Sequence, residues 1–336
     1  MPVTLDDVAA RAGVSRGTVS LVLNDRKGAR IGDETRMRIR SVADEMGYRP
    51  NLFARSLGSH RTNTIGLMIS GLQNPFFVDL MESAEYHAEE AGYQVLLDSA
   101  PSSGGTYRGH AKLRSWPVDG VLMFAHRDQT LALFLGEQAS RMPVVYLGQQ
   151  RLDDTDGIAF DLYDGSRQAT EHLVARGCKR IAYASPYAVE VETIREPRYK
   201  AYTDICAGAG LPSEFFQVAR LQETREAGLQ AGFEIAAMAA DRRPDALLCH
   251  NDIVAIGIYC GIRRAGLRVP EDVAIVGFDG IEEGRFLPDC LTTVVTPVDP
   301  FCKAAVETLF KRLNGDTESP ALQSIIPTHL FVGDTA

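Results

Sequence analysis

The sequence predicts an all-α N-terminal helix-turn-helix head followed by an α/β body of two parallel-sheet lobes. Three observations carry that prediction. Apolar residues recur at helical spacing through the first fifty positions, interrupted by Gly13 and Gly47. From Thr64 onward, short β-branched runs alternate with helical stretches, the pattern of parallel strands covered by helices on both faces. The chain has 336 residues, and the part after the head is too long for one sheet, so the body divides in two.

The first helix opens at Thr4, with Asp7 three positions on as a capping box and Val3 and Val8 at staple spacing. Leu5, Val8, Ala9 and Ala12 form its inner face, and Gly13 ends it. The second helix opens at Ser15 and turns Val19, Val22 and Leu23 inward. The third runs from about Asp33 to Met46, with Ile39, Val42, Ala43 and Met46 on one side. Two helices joined by Ala12-Gly13-Val14-Ser15 make a helix-turn-helix, whose second helix enters the major groove of double-stranded DNA. Its N-terminal residues, which reach base edges, are Arg16, Gly17 and Ser20, with Ser15 and Thr18 nearer the backbone. Arginine pairs bidentately with guanine, so Arg16 is the expected base reader. A generic three-helix bundle with a glycine turn fits the same spacing.

Gly47-Tyr48-Arg49-Pro50-Asn51 breaks the third helix, and residues 52–59 can become a short hinge helix. Ala54 and Leu57, flanked by Arg55 and Arg61, suit an apolar wedge in a minor groove; a plain linker is the alternative. Charge divides at the same place. Residues 1–61 carry a net +4 and residues 62–336 a net −13, which together make the chain's −9. A basic head on an acidic body implies that the head alone meets a polyanion.

The body's expected strands are Ile65–Ser70, Gln94–Asp98, Gly120–Phe124, Val144–Leu147, Arg180–Ala184, Ala246–His250 and Val273–Phe278. Helices are expected at Val78–Ala91, Gly165–Arg176 and Ile253–Ala265. Ligands of such sheets bind outside the carboxyl ends of the strands, here in the crevice between the lobes. Polar residues end several strands: Asp161 follows Gly157-Ile-Ala-Phe160, Asn251 and Asp252 follow Leu247-Leu-Cys-His250, and Asp279 follows Ile275-Val-Gly-Phe278. Each also fits a turn or a helix cap.

Several classes are excluded. The longest apolar run, Ile253 to Ile262, is too short for a membrane helix. The N-terminus lacks the basic start and apolar core of a signal peptide. The six cysteines form no CxxC pair and read as mostly buried thiols of a reducing, cytoplasmic compartment. The seven histidines show no ligand spacing, so no metal is expected. No phosphate loop, dinucleotide fingerprint or GxSxG elbow is present, so neither an enzyme nor a cofactor is expected.

The head and body together resemble the LacI/GalR family of bacterial transcription regulators. The residues that carry the resemblance are Thr4-Leu-Asp-Asp-Val-Ala-Ala-Arg-Ala-Gly-Val-Ser15, Thr18-Val19-Ser20, Val22-Leu23-Asn24 and Thr35-Arg36. Gly47-Tyr48-Arg49-Pro50-Asn51, Ala54-Arg55-Ser56-Leu57 and Thr64-Ile65-Gly66-Leu67 extend it, and it continues to the C-terminus with few gaps. Leu21, Gly17 and Gly32 depart from the family's usual residues. The resemblance implies a periplasmic-binding-protein-like body. It assigns DNA contact to Thr4, Ser15, Arg16, Gly17, Thr18, Ser20, Asn24, Tyr48, Asn51, Ala54, Arg55 and Leu57. It assigns effector contact to Asn74, Phe76, Asp161, Arg198, Asn251 and Asp279, with Phe76 as a platform. Ala227 stands where many members place a stacking aromatic.

The expected organisation is a DNA-binding domain at 1–49, a hinge at 50–62 and an effector-binding and dimerisation domain at 63–336. Lobe 1 takes about 63–163 and 292–322; lobe 2 takes 164–291 and 323–332. The expected protein is an effector-responsive repressor, a homodimer on a pseudo-palindromic DNA operator, with a small polar, sugar-like effector between its lobes. A secreted solute-binding protein shares the two-lobed body, but the basic head and missing signal peptide argue against it.

Overall fold

The computed structural model describes residues 3–23, 30–48, 61–100, 117–124, 142–148, 155–190, 196–219, 224–316 and 318–336. Two compact units divide at Thr62 and Asn63.

In the head, α1 (Leu5–Ala12) begins with the expected reciprocal cap. The Asp7 amide donates to Thr4 Oγ1 at 3.3 Å, and the Thr4 amide donates to Asp7 Oδ2 at 2.8 Å. Gly13 closes the helix at φ +67°, a left-handed conformation that favours glycine, and lets the chain turn directly into α2 (Arg16–Leu23). Ser15 Oγ accepts from the Thr18 amide at 3.1 Å and caps α2. The third helix, α3 (Asp33–Glu45), starts at Gly32 without a side-chain cap. Val8, Ala9, Ala12, Val19, Val22, Ile39 and Ala43 form the buried core, with Leu5, Leu23, Val42 and Met46 packed around it. So small a core draws residues from all three helices and fixes their mutual angles.

Among the described residues the body forms two six-stranded sheets. The first runs β11 (Gln323–Ile326), β5 (Asp156–Phe160), β4 (Val144–Leu147), β3 (Gly120–Phe124), β1 (Thr64–Ser70), β2 (Gln94–Ala100), all parallel. The second runs β12 (His329–Phe331), β10 (Thr292–Val295), β9 (Ala274–Asp279), β8 (Ala246–Cys249), β6 (Ile181–Ser185), β7 (Glu214–Gln217), with β12 alone antiparallel. Strand order reverses between β1 and β3 in one sheet and between β6 and β8 in the other. Each reversal opens a crevice at the strands' carboxyl ends.

Among the described residues the chain crosses between sheets three times. After β5, α5 (Leu162–Ala175) packs on the second sheet. After β10, α9 (Val298–Leu313) returns to lie on α4 (Pro75–Glu90) and on β3, β4 and β5. Between β11 and β12 the chain crosses a third time. The expected lobe limits therefore need correction. Thr292–Val295 belongs to lobe 2, where Thr293 pairs with Gly277, and Gln323–Ile326 belongs to lobe 1, where Ser324 pairs with Ile158. Neither four-residue strand carries a pattern that names its sheet. What decides it is α9, whose face of Phe301, Cys302, Ala305, Val306 and Leu309 is buried against lobe 1.

Within lobe 2, α7 (Arg225–Ala237) and α8 (Asp252–Arg264) touch backbone to backbone. Gly228 and Gly232 face Gly257 and Gly261, and a Cβ at Gly257 would overlap the carbonyl oxygen of Arg225. Only glycine permits that approach. Ala227 is buried in the first turn of α7. Half the cysteines are buried (Cys206, Cys249 and Cys302) and half partly exposed, fewer than expected; all six are thiols.

Candidate functional site

The head's recognition surface is the N-terminal half of α2. Val19 and Val22 are turned into the core, so the helix presents the opposite side, where Arg16 and Gly17 are exposed and Thr18 and Ser20 half-buried. Ser15 and Thr18 hydroxyls sit 2.9 Å apart at the helix start. Thr4 is exposed at the start of α1 and Tyr48 is half-buried after α3. Burial raises the Tyr48 phenol's pKa, and nearby Arg16 opposes that shift. Arg16 lies 3.6 Å from Asp6, both about two-thirds exposed. Such a pair holds a side chain weakly, so Arg16 can leave it for another acceptor. Asn24, Asn51, Ala54, Arg55 and Leu57 lie outside the described residues.

The body's candidate site is the cleft between the two sheets, which is open to solvent. Lobe 1 contributes Asn74, Phe76, Phe77, Phe124, Gly148 and Phe160; lobe 2 contributes Arg198, His250, Asn251 and Asp279. Leu162 and Thr296 come from two of the crossings. Nearly all follow or end a parallel strand, as the crevice rule requires.

Lobe 1's wall is aromatic. Phe76 meets Phe77, Phe124 and Phe160 edge to face at 5.1, 5.9 and 6.1 Å, and Phe160 stacks on Phe301 at 4.1 Å. Lobe 2's wall is polar and hydrogen-bonded. Asn251 caps α8, its Oδ1 accepting from the Val254 amide at 3.1 Å. Asn74 caps α4 in the same way, and its Nδ2 donates across the cleft to Asp279 Oδ2 at 3.1 Å. Asp279 reaches that position at φ +119°, a strained conformation for a residue with a side chain. Asp252 holds the turn: its buried carboxylate accepts from the Gly280 amide at 2.7 Å, the Ile281 amide at 2.9 Å and Thr293 Oγ1 at 2.6 Å. Burial pushes that carboxyl up to about 6, against the pull of these bonds.

Arg198 is the best-partnered group in the cleft. Nε donates to Glu196 Oε1 at 2.7 Å, and Nη2 donates to Glu196 Oε2 at 3.1 Å and to His250 Nε2 at 3.0 Å. Nη1 donates to the His250 carbonyl at 2.6 Å. The guanidinium lies over the Phe278 ring at 5.1 Å. Burial works against its charge, but Glu196 and Asp279 more than offset that and hold it protonated. Since Nε2 of His250 accepts from a permanent cation, the imidazole is neutral there, with its other nitrogen 3.3 Å from Tyr183 Oη.

Five of the six expected effector residues (Asn74, Phe76, Arg198, Asn251 and Asp279) come together in this cleft. Asp161 does not line it. Its Oδ1 accepts from the Asp164 amide at 3.0 Å as the cap of α5. Its backbone is tied to the third crossing, through the Ile326 carbonyl and Thr328 Oγ1, both at 2.8 Å. The turn-or-cap alternative describes it. Sequence reasoning passed over His250 and Glu196. His250 stands at a strand end and could have been found by position; Glu196 matters only through the pair it makes with Arg198. Among the described residues no helix is long and apolar enough to cross a membrane, and no cluster could hold a metal ion.

Residues 4–51 match the model of bacterial regulatory proteins of the lacI family, and residues 170–336 match the periplasmic binding protein-like domain. The HTH-type transcriptional repressor PurR of Pectobacterium carotovorum is 30% identical over 97% of this chain and 94% of its own. The PurR of Photobacterium profundum is 31% identical over 92% of each. Among solved structures, the Lac repressor bound to ONPG superposes with a TM-score of 0.83 at 25% identity over all of both chains. The CelR–cellobiose complex gives 0.69 at 28% identity, covering 99% of this chain and 100% of that one. The motifs of the head, the two-sheet body and these full-length likenesses agree: the chain belongs to the lacI family of bacterial regulatory proteins, a transcriptional repressor with a helix-turn-helix DNA-binding domain and an effector-binding domain.

Proposed function

We propose that this repressor works in the cytoplasm as a homodimer on a pseudo-palindromic operator, and that a small polar, sugar-like molecule in the inter-lobe cleft controls it. Two-fold protein symmetry imposes the operator's symmetry. Arg16 and Ser20 read base edges, Gly17 lets the helix start approach the groove, and Ser15 and Thr18 contact the DNA backbone. Ala54 and Leu57 enter the minor groove beside Arg55, and Thr4, Asn24, Tyr48 and Asn51 add further DNA contacts. Asn74, Phe76, Arg198, Asn251 and Asp279 hold the effector.

The observation that carries the effector reading is the two-faced cleft bridged by Asn74 and Asp279. A pyranose-like ring has apolar faces for the aromatic wall and hydroxyls for the polar one. Because the bridge joins the two lobes, a molecule that inserts into it changes their relative stability in two arrangements, which is the requirement for a switch. Related regulators carry cellobiose, glucose or sucrose in their structures.

Operator selection from random DNA, followed by mobility shift with and without glucose, sucrose and cellobiose, tests the proposal. A palindromic consensus, steep salt dependence and a dimer in sedimentation are expected. A chain lacking residues 1–61 should keep its sugar response and lose DNA affinity. An asymmetric consensus or tight DNA binding by the truncated chain would overturn the reading.

A further inference from the structure

A buried carboxylate beside the cleft's arginine bears on what the cleft accepts. An arginine recognises a carboxylate or phosphate by offering two parallel N–H groups from one edge of the guanidinium. Arg198 has no such edge left. The Nε–Nη2 edge is taken by Glu196 through both carboxylate oxygens, at 2.7 and 3.1 Å. On the other edge, Nη2 donates to His250 Nε2 and Nη1 to the His250 carbonyl. Five N–H groups less these four leave a single Nη1 hydrogen.

Glu196 cannot readily swing away. Its Oε1 also accepts from the Arg198 amide at 3.2 Å, as the cap of α6 (Pro197–Gly208). Pro197 at the first helical position presets that geometry. The Glu196 side chain is fully buried and that of Arg198 is 7% exposed, so separating the pair would strand both charges out of water. The second carboxylate, Asp279, faces the same space. The pair is internally neutral, and the unbalanced charge among the described lining residues is negative.

We propose that Glu196 makes the cleft reject anions, so that the effector is an uncharged, hydroxyl-bearing molecule that takes one hydrogen bond from Arg198 and donates to Asp279. This rests on the reading of the cleft as the effector site and narrows it: a phosphorylated or carboxylated metabolite meets an occupied arginine and a facing carboxylate.

The test uses the full-length protein and matched probes: glucose, sucrose and cellobiose, their phosphate esters, and inorganic phosphate. Thermal shift and calorimetry are read for wild type, Glu196→Gln and Glu196→Asp. In the wild type a neutral sugar should bind at least about a hundredfold more tightly than its ester, and phosphate should not stabilise the protein. Glu196→Gln, which frees the fork, should gain stabilisation by phosphate. Glu196→Asp, which keeps the charge, should remain indifferent to it and serves as the control for folding.

A wild type that binds an ester as tightly as its sugar overturns the proposal, as does a folded Glu196→Gln that gains no phosphate response. If no sugar binds the wild type yet Glu196→Gln gains phosphate binding, the rejection of anions stands and the choice of effector falls. A wild-type sugar response that is unchanged in Asn251→Ala removes the cleft reading itself, and the proposal with it.

Discussion

The head and the cleft place functional side chains in opposite circumstances. In the head, Arg16 and Gly17 are exposed, and among the described residues Arg16 pairs with an exposed Asp6. In the cleft, Arg198, Asn251 and Asp279 are committed to protein partners before a ligand arrives. A surface that reads DNA needs side chains that exchange water for bases, and its scaffold can be small. A cleft that reports a small molecule needs polar groups whose internal bonds depend on how the lobes stand. Changes in the head should therefore alter binding with little effect on folding, whereas changes in the cleft should alter both.

The largest effect is expected for Arg198→Ala. It leaves the Glu196 carboxylate buried without its cation, which costs about 3–5 kcal/mol of body stability. Denaturant melts of the body should show it, while the head's melting is unchanged. Equal stability of mutant and wild type would break the contrast, because it would mean that the cleft arginine is no more embedded than Arg16.

Asp252 gives a pH-dependent version of the same test. Its unfolded carboxyl ionises above the ordinary value of 3.8, the folded one only above about 6. Its contribution is therefore fully present below 3.8 and is lost as pH rises to about 6, a change of roughly 3 kcal/mol. Relative to Asp252→Asn, the wild type should be less stable at about pH 7 than at about pH 3 by that amount. A stability difference that does not vary with pH would show that Asp252 does not titrate as its burial implies.

Gly257→Ala should cost about 2 kcal/mol or more, because the new methyl overlaps the Arg225 carbonyl and α7 must move from α8. The head has its own core, so its circular dichroism signal should melt unchanged. The smallest structural effect is expected of Arg16→Ala. Its folding should match wild type, yet operator affinity should fall by about 1–3 kcal/mol per half-site, with specificity relaxed at one position. An identical consensus from binding selections would remove Arg16 as a base reader.

The head was readable from sequence because its determinants are local. Thr4 and Asp7 are three residues apart, Gly13 must be where the chain turns, and Val19 and Val22 mark the inner face of α2 by spacing alone. The body's strands after Thr64 were readable for the same reason, through runs of β-branched and apolar residues. The short β10 and β11 were assigned to the wrong lobes because four residues bear no mark of their neighbour. Asp161 and Asn251 looked alike as polar strand ends, and both cap helices; what separates them is that the chain crosses lobes immediately after Asp161.

What the sequence by itself determined is therefore the order of elements, the helix-turn-helix, the two-lobed plan and the residue types at the strand ends. These follow from spacing, capping and polarity, which act over a few residues. Tertiary structure decided which strand ends share one cleft, that Asn74 reaches Asp279 across 205 positions of chain, and that Glu196 occupies the arginine's fork. Those outcomes depend on desolvation and on contacts between distant segments. The same arginine would bind an anion if exposed, and here it binds its own protein.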